Sequence, residues 1–282
     1  MKKFQFLTSF VLFAFAIEPL LAAPKKKRKA EPSAAPAEVL VDGFEVAIFA
    51  EPFEAEYPVA LAVGPDGTVY VSVDPDGSLG RGRYGRVVAC RDEDGDGKAD
   101  RFWNYIPEIE SPRGGHMVDG KFYIIHPPYL SVYWDEDGDG VAEKSQQLVD
   151  GLGASAQETR GGDHTTNGVR MGIDGWLYIA VGDFGMSSAT GTDGKEVTLY
   201  GGGVARVRPD GSGLEVYSYF TRNQCDVAIS PYLDQFVRDN TNDGKGWNIR
   251  VHHQSNLSNH GYPRLYKNFK DEVVKPLLDL GG

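Results

Sequence analysis

The sequence predicts an all-β fold, a β-propeller of the six-bladed type, on three observations. Short runs of alternating apolar residues repeatedly bracket an Asp-Gly pair, which is the pattern of two strands joined by a tight hairpin. The turn glycines Gly67, Gly120 and Gly175 follow one another at intervals of 53 and 55 residues, enough for one four-stranded sheet per repeat. The chain holds 35 glycines and shows no long helical periodicity before residues 263–269.

The first hairpin places residues 59–63 before Asp66-Gly67 and 69–71 after it. A second places 116–118 before Asp119-Gly120 and 122–125 after, and a third runs through Val169, Asp174-Gly175 and 177–181. A fourth, 226–229 then 235–237, keeps the alternation without the glycine. Residues 86–91, 204–208 and 215–219 read as further strands. At roughly 55 residues per repeat, the domain from residue 40 to residue 282 holds about four to five blades. It is therefore expected to be incomplete, the N-terminal part of a larger propeller. Trp134, Trp176 and Trp247 are expected to pack between blades.

Residues 1–23 read as a secretory signal peptide: Lys2 and Lys3, an apolar run over 4–17, then Leu20-Leu21-Ala22-Ala23 with small residues at the cleavage point. Export to the periplasm or the extracellular space is the expectation, with membrane association only through an uncleaved signal. Residues 24–39 form a linker, basic over Lys25-Lys26-Lys27-Arg28-Lys29 and then rich in Ala and Pro. From Ala30 onward 22 basic side chains face 39 acidic ones, a surface that repels nucleic acid and attracts cations. Cys90 and Cys225 match no zinc or haem spacing; an exported chain permits a disulfide between them, and small buried strand residues are the alternative.

Two segments share the pattern Asp-x-Asp-x-Asp-Gly-x-x-acid. One contains Asp92, Asp94, Asp96, Lys98 and Asp100; the other Asp135, Asp137, Asp139, Val141 and Glu143. Carboxylates at alternate positions can turn toward one hard cation, the glycine allows the sharp bend, Lys98 or Val141 offers a carbonyl, and the ninth residue closes the shell. Calcium suits such a donor set, in a structural role. Without a counter-charge, packing so many carboxylates together is repulsive.

The chemistry concentrates between Asp163 and Asp183. His164 stands at the entrance of the third hairpin and Asp183 at its exit, so the fold returns them to one end of a sheet. An imidazole held by a carboxylate is suited to taking a proton from an alcohol. A surface histidine in a Gly/Asp/Thr-rich loop is the competing reading. His252, His253 and His260 suit either loop hydrogen bonding or a transition metal. Asp239, Thr241 and Asp243 alternate ahead of Gly244, the pattern of a third metal loop or of a plain polar turn.

Four motifs together resemble the soluble dehydrogenases of glucose and sorbosone that depend on pyrroloquinoline quinone (PQQ), and most of all their large exported bacterial relatives known as membrane-bound dehydrogenases. They are His164 with Val181-Gly182-Asp183, Thr221-Arg222-Asn223, the run from Arg238 to Gly244, and Asn259-His260-Gly261-Tyr262-Pro263. The likeness covers nearly all of residues 40–282. It implies His164 as general base, Asp183 as its orienting partner, Arg222 and Asn223 as contacts to PQQ, and carbonyls near Thr241 and Asn242 beside a second kind of calcium. A small sugar or related alcohol would be the substrate, and a separate protein such as a c-type cytochrome the electron acceptor, because the haem-binding tail of longer relatives is missing here. Gln224 replaces the proline that often follows Arg-Asn in the sugar dehydrogenases, and Thr241-Asn242 stand where Gly-Pro is expected. Two other functions suit the same residues: a non-catalytic calcium-stabilised propeller that binds carbohydrate or protein, and a metal-dependent lactonase.

Overall fold

The structure is a computed structural model that describes residues 43–44, 46–51, 57–75, 85–153, 164–241 and 248–262. The chain divides into two units, Met1–Ala35 and Pro36–Gly282, and every described residue belongs to the second. The proposed signal peptide and linker lie outside the described residues, as does Trp247. No helix among the described residues is long and apolar enough to cross a membrane.

The described residues form four antiparallel sheets. Sheet 1 takes β1 (Pro58–Val63), β2 (Val69–Val73), β3 (Gly85–Arg91) and β4 (Arg101–Ile109) in sequential order. Sheet 2 begins in the same way with β5 (Gly115–Val118), β6 (Lys121–His126), β7 (Tyr129–Trp134) and β8 (Lys144–Asp150). Sheet 3 opens with β9 (Thr166–Met171) and β10 (Leu177–Val181), but the next hairpin, β11 (Met186–Gly191) with β12 (Glu196–Leu199), leaves it. That hairpin joins the edge of sheet 2, with Thr190 opposite Asp150 and Gly191 opposite Val149. Sheet 3 then resumes with β13 (Gly202–Val207) and β14 (Glu215–Thr221). In sheet 4, β15 (Asn223–Gln224) and β16 (Ala228–Ile229) share one edge of β17 (Gln235–Thr241), while β18 (Asn248–Gln254) takes the other.

All four sequence-read hairpins are therefore strands at the expected places. Glycine is required at the turn itself: Gly67, Gly120 and Gly175 have φ of +82°, +72° and +73°, a region that side chains with a Cβ avoid. The segment from Arg238 to Thr241, read as loop, is instead the second half of β17. Asp and Asn are poor strand formers in isolation, yet β17 pairs with β18 along its whole length and tertiary pairing overrides the local preference.

Each sheet buries one face against the next. Tyr105, Ile106, Met117, Phe122 and Ile124 fill the space between sheets 1 and 2. Ile125, Leu130, Leu177, Ile179 and Leu199 belong to the largest cluster, between sheets 2 and 3, and Tyr178, Val204, Val227 and Val237 join sheets 3 and 4. Alternation along each strand supplies both faces, which is why β10 and β13 are apolar almost throughout. Cys90 is buried in β3, and Cys225 is exposed between β15 and β16. Trp176 does not pack between sheets alone: the guanidinium groups of Arg206 and Arg208 lie over its ring, at 4.5 and 3.8 Å from the centroid.

Candidate functional site

The starts of β5, β9 and β15, in sheets 2, 3 and 4, meet one another. The Gly114 amide donates to the Asn167 carbonyl at 2.7 Å, and the Asn167 side-chain amide donates to the Gln224 carbonyl at 2.9 Å and to Asn223 Oδ1 at 3.3 Å. Arg113, His164 and Arg222 precede these three positions, so all three stand at the same end of the molecule. Asp74 and Asp183, which follow β2 and β10, return to that end because each strand reverses the one before it. The Asp-Gly hairpins and the two acidic loops lie at the opposite end.

His164 and Asp183 are brought together as the sequence suggested. Imidazole Nδ1 lies 2.5 Å from Asp183 Oδ1. An ionised carboxylate only accepts, so the contact puts the proton on Nδ1 and the lone pair of the neutral ring on Nε2. Asp183 is fully buried, and its other oxygen has no hydrogen-bond partner among the described residues. The local backbone is tight: Gly182 N–H donates to the Thr165 carbonyl at 2.7 Å, and a Cβ on Gly182 would overlap the His164 carbonyl. No other residue type fits there, which explains the Gly-Asp order.

Arg222 is placed through its backbone, whose N–H donates to Asp239 Oδ2 at 2.9 Å. Asp239 is fully buried and also meets His252 Nε2 at 3.2 Å, with an Arg250 nitrogen at 3.8 Å. The ring of His252 lies tilted at 59° to that of His260 with centroids 4.7 Å apart, and burial, reinforced by the neighbouring His252, pushes His260 down to about 4. Asp239 thus faces a backbone amide and an imidazole. Of its suggested companions, Thr241 ends β17, and Asn242 and Asp243 fall outside the described residues.

Three residues that sequence reasoning missed share this end. Phe184 stacks on His164, with ring centroids 5.1 Å apart. Arg113 and Asp74 form a buried ion pair across sheets 2 and 1, at 3.7 Å, and Ser111 accepts from Arg113 at 3.1 Å. A signal for Asp74 existed in the sequence: it follows the second strand of its hairpin much as Asp183 follows β10.

Both acidic loops adopt one geometry. Asp92 accepts from the Gly95 and Gly97 amides at 2.7 and 2.9 Å, as Asp135 does from Gly138 and Gly140 at 2.7 and 2.8 Å. Those amides hold the Asp92 carboxyl below its ordinary value. In one loop Asp92, Asp94 and Asp100, and in the other Asp135, Asp137 and Glu143, bring ligand oxygens within 4.8 Å of one another. Asp96 and Asp139 instead accept from the Lys98 and Val141 amides at 2.8 Å. These sets fit a hard, oxygen-liking cation. Each loop joins the third and fourth strands of its sheet, and the second docks on sheet 1: Trp103 Nε1 donates to the Gly140 carbonyl and Ala142 N–H to that of Tyr105, both at 2.8 Å.

The family model described as "Domain of unknown function (DUF7133)" matches residues 31–278. The chain belongs to that family. No curated protein matches the sequence. Among solved structures, the holo form of the pyranose dehydrogenase PQQ domain from Coprinopsis cinerea is similar, with a TM-score of 0.51 and 14% identity over 79% of this chain and 59% of that one. The PQQ-bound aldose sugar dehydrogenase from Streptomyces coelicolor gives a TM-score of 0.49 and 20% identity over 73% of this chain and 62% of that one. Regucalcin from Agrobacterium tumefaciens, a calcium-binding protein, gives 0.41 and 12%, over 70% and 61%. This chain spans about six-tenths of the length of these structures. Together with the four antiparallel sheets, the likeness makes the fold an all-β propeller.

Proposed function

We propose that this chain is the site-bearing part of an exported, PQQ-dependent dehydrogenase that oxidises a sugar or related alcohol. The observation that supports it most directly is the His164–Asp183 contact, a base with its carboxylate at one rim of the sheets. When bound, PQQ supplies the hydride acceptor, chemistry that no side chain provides.

The residues present suit such a group. Arg222 and Asn223 lie where β15 begins, next to the Asn167 of the strand that His164 precedes, and Thr221 Oγ1 is buried without a partner among the described residues. PQQ carries carboxylates, and a guanidinium such as that of Arg222 suits them. Arg222 and Asn223 would hold it. His164 takes the hydroxyl proton at Nε2 while Asp183 keeps the tautomer and stabilises the imidazolium that forms. Burial of Asp183 strengthens that interaction by excluding water.

Calcium in the two acidic loops is structural in this reading, holding the loop of sheet 2 against Trp103 and Tyr105 of sheet 1. Carbonyls near Thr241 and Asn242 are the proposed place of a calcium beside the quinone. Electrons leave to a separate acceptor such as a c-type cytochrome.

The test is turnover by the purified protein supplied with calcium, PQQ and an artificial electron acceptor, over a panel of aldoses and polyols. Reduction that disappears in His164→Ala, with the thermal unfolding curve unchanged, supports the reading. Absence of any PQQ-dependent absorbance change or thermal shift in the wild type ends it. Hydrolysis of sugar lactones without PQQ would assign the site to a lactonase instead.

A further inference from the structure

We propose that Phe184 is the positioning residue of His164, a role that rests on the dehydrogenase reading for its catalytic meaning but not for its geometry. The two rings lie nearly parallel, centroids 5.1 Å apart and planes 25° from coplanar. Phe184 also holds the histidine by its backbone, donating its N–H to the His164 carbonyl at 3.1 Å. Asp183, the preceding residue, holds the Nδ1 edge at 2.5 Å. One short segment therefore fixes the imidazole at its main chain, its edge and its face.

That segment is itself anchored at both ends. Upstream it continues from β10, in the middle of sheet 3. Downstream, Gly185 turns with φ of +64° and donates no side chain to a space where a Cβ would overlap the Leu199 carbonyl, and the chain then enters β11, paired to sheet 2. The clamp therefore spans two sheets.

A single edge bond leaves an imidazole able to swing out of its plane; a ring laid on its face removes that motion. The face of an aromatic ring is also negative, so it attracts the cation that His164 becomes when it accepts a proton. Phe184 thus orients the base and lays an attractive face on the imidazolium that forms during turnover. Leucine would fill comparable space without that face, and tyrosine would keep it.

The experiment compares Phe184→Leu, Phe184→Met and Phe184→Tyr with the wild type by two readouts. In the protein alone, without PQQ or substrate, the Nδ1 proton of His164, assigned by its loss in His164→Ala, is followed by NMR. Its exchange with solvent is expected to be faster in the leucine and methionine variants and unchanged in the tyrosine variant. In turnover, leucine and methionine are expected to lower kcat by about tenfold with KM held within about twofold, and tyrosine to recover most of the loss. Two aliphatic variants guard against one that fails to fold. Equal proton lifetimes in all four proteins overturn the proposal, as does a tyrosine variant as impaired as leucine. A proton difference in a protein without turnover upholds Phe184 as the clamp and ends the dehydrogenase reading.

Discussion

The third sheet carries a charged or titratable partner pair at each end of its inner strand, and the two pairs are built differently. At one end His164 meets Asp183 within the same sheet, the carboxylate fully buried and the contact backed by a stacked ring. Toward the other, Arg170 Nη2 meets Asp226 of sheet 4 at 2.5 Å, with both side chains partly exposed. Arg170 also donates to the Gly115 carbonyl at 2.8 Å and to that of Leu61 at 3.4 Å, so one guanidinium from sheet 3 reaches sheets 1 and 2 and the link between β15 and β16 of sheet 4. A pair within one sheet takes its register from one hairpin; a pair across sheets ties neighbours together. The first arrangement suits chemistry, the second assembly.

Breaking the pairs should separate these roles. Asp183→Asn removes the charge that holds Nδ1–H and stabilises imidazolium, and is expected to lower kcat on the order of 10²- to 10⁴-fold, with the unfolding midpoint little changed. Steady-state kinetics beside calorimetry checks it. A comparable loss of folding stability in this variant would place Asp183 in the scaffold instead.

A second effect concerns His126, which ends β6 at the His164 end of the molecule and whose Nε2 contacts Ser131 Oγ at 2.8 Å. Burial pushes it from 6.5 down to about 4. Between those values the unfolded chain takes up a proton that the native state refuses. Stability is therefore full above about pH 6.5, falls as pH drops through the window by about 3 kcal/mol, and is level below about 4. Denaturant melts from pH 7.5 to 4 should show that slope in the wild type and a flatter one in His126→Gln.

Arg170→Met should lower stability by roughly 1–2 kcal/mol, the cost of stranding Asp226 discounted for its partial exposure, and leave kcat unchanged in the folded fraction. Asp226 sharpens the point, because burial raises its carboxyl and Arg170 opposes that rise. Arg170→Met combined with Asp226→Asn should therefore recover part of the loss in a chemical melt. The smallest effect is expected from Trp103→Phe, about 1 kcal/mol from one lost hydrogen bond to Gly140. Chelation should lower the melting temperature of the wild type, and that shift should shrink in Trp103→Phe if the acidic loop acts through sheet 1.

Turns were readable from the sequence because they are local: Asp-Gly at 66–67, 119–120 and 174–175 fixes each hairpin without reference to the rest of the chain. His164 and Asp183 were readable for the same reason, being the two ends of one hairpin. Partners drawn from different sheets were not. Arg170 looks like any solvent-facing strand residue until β5, β9 and β15 are aligned, and Arg113 finds Asp74 only across a sheet boundary. The β11–β12 hairpin carries ordinary strand residues, and nothing local says that it pairs with β8 instead of β10. Asp239 misled in the other direction: its Asn/Asp-rich neighbours suggest a loop, and pairing with β18 makes it strand.

That displaced hairpin bears on how the molecule could have been pieced together. Because β11 and β12 are encoded by the third repeat but complete the edge of the second, the sheets are not interchangeable modules. Deleting or grafting one repeat as a cassette would expose the flank of its neighbour, and gene order and spatial order agree again only after β14, where sheet 3 is complete.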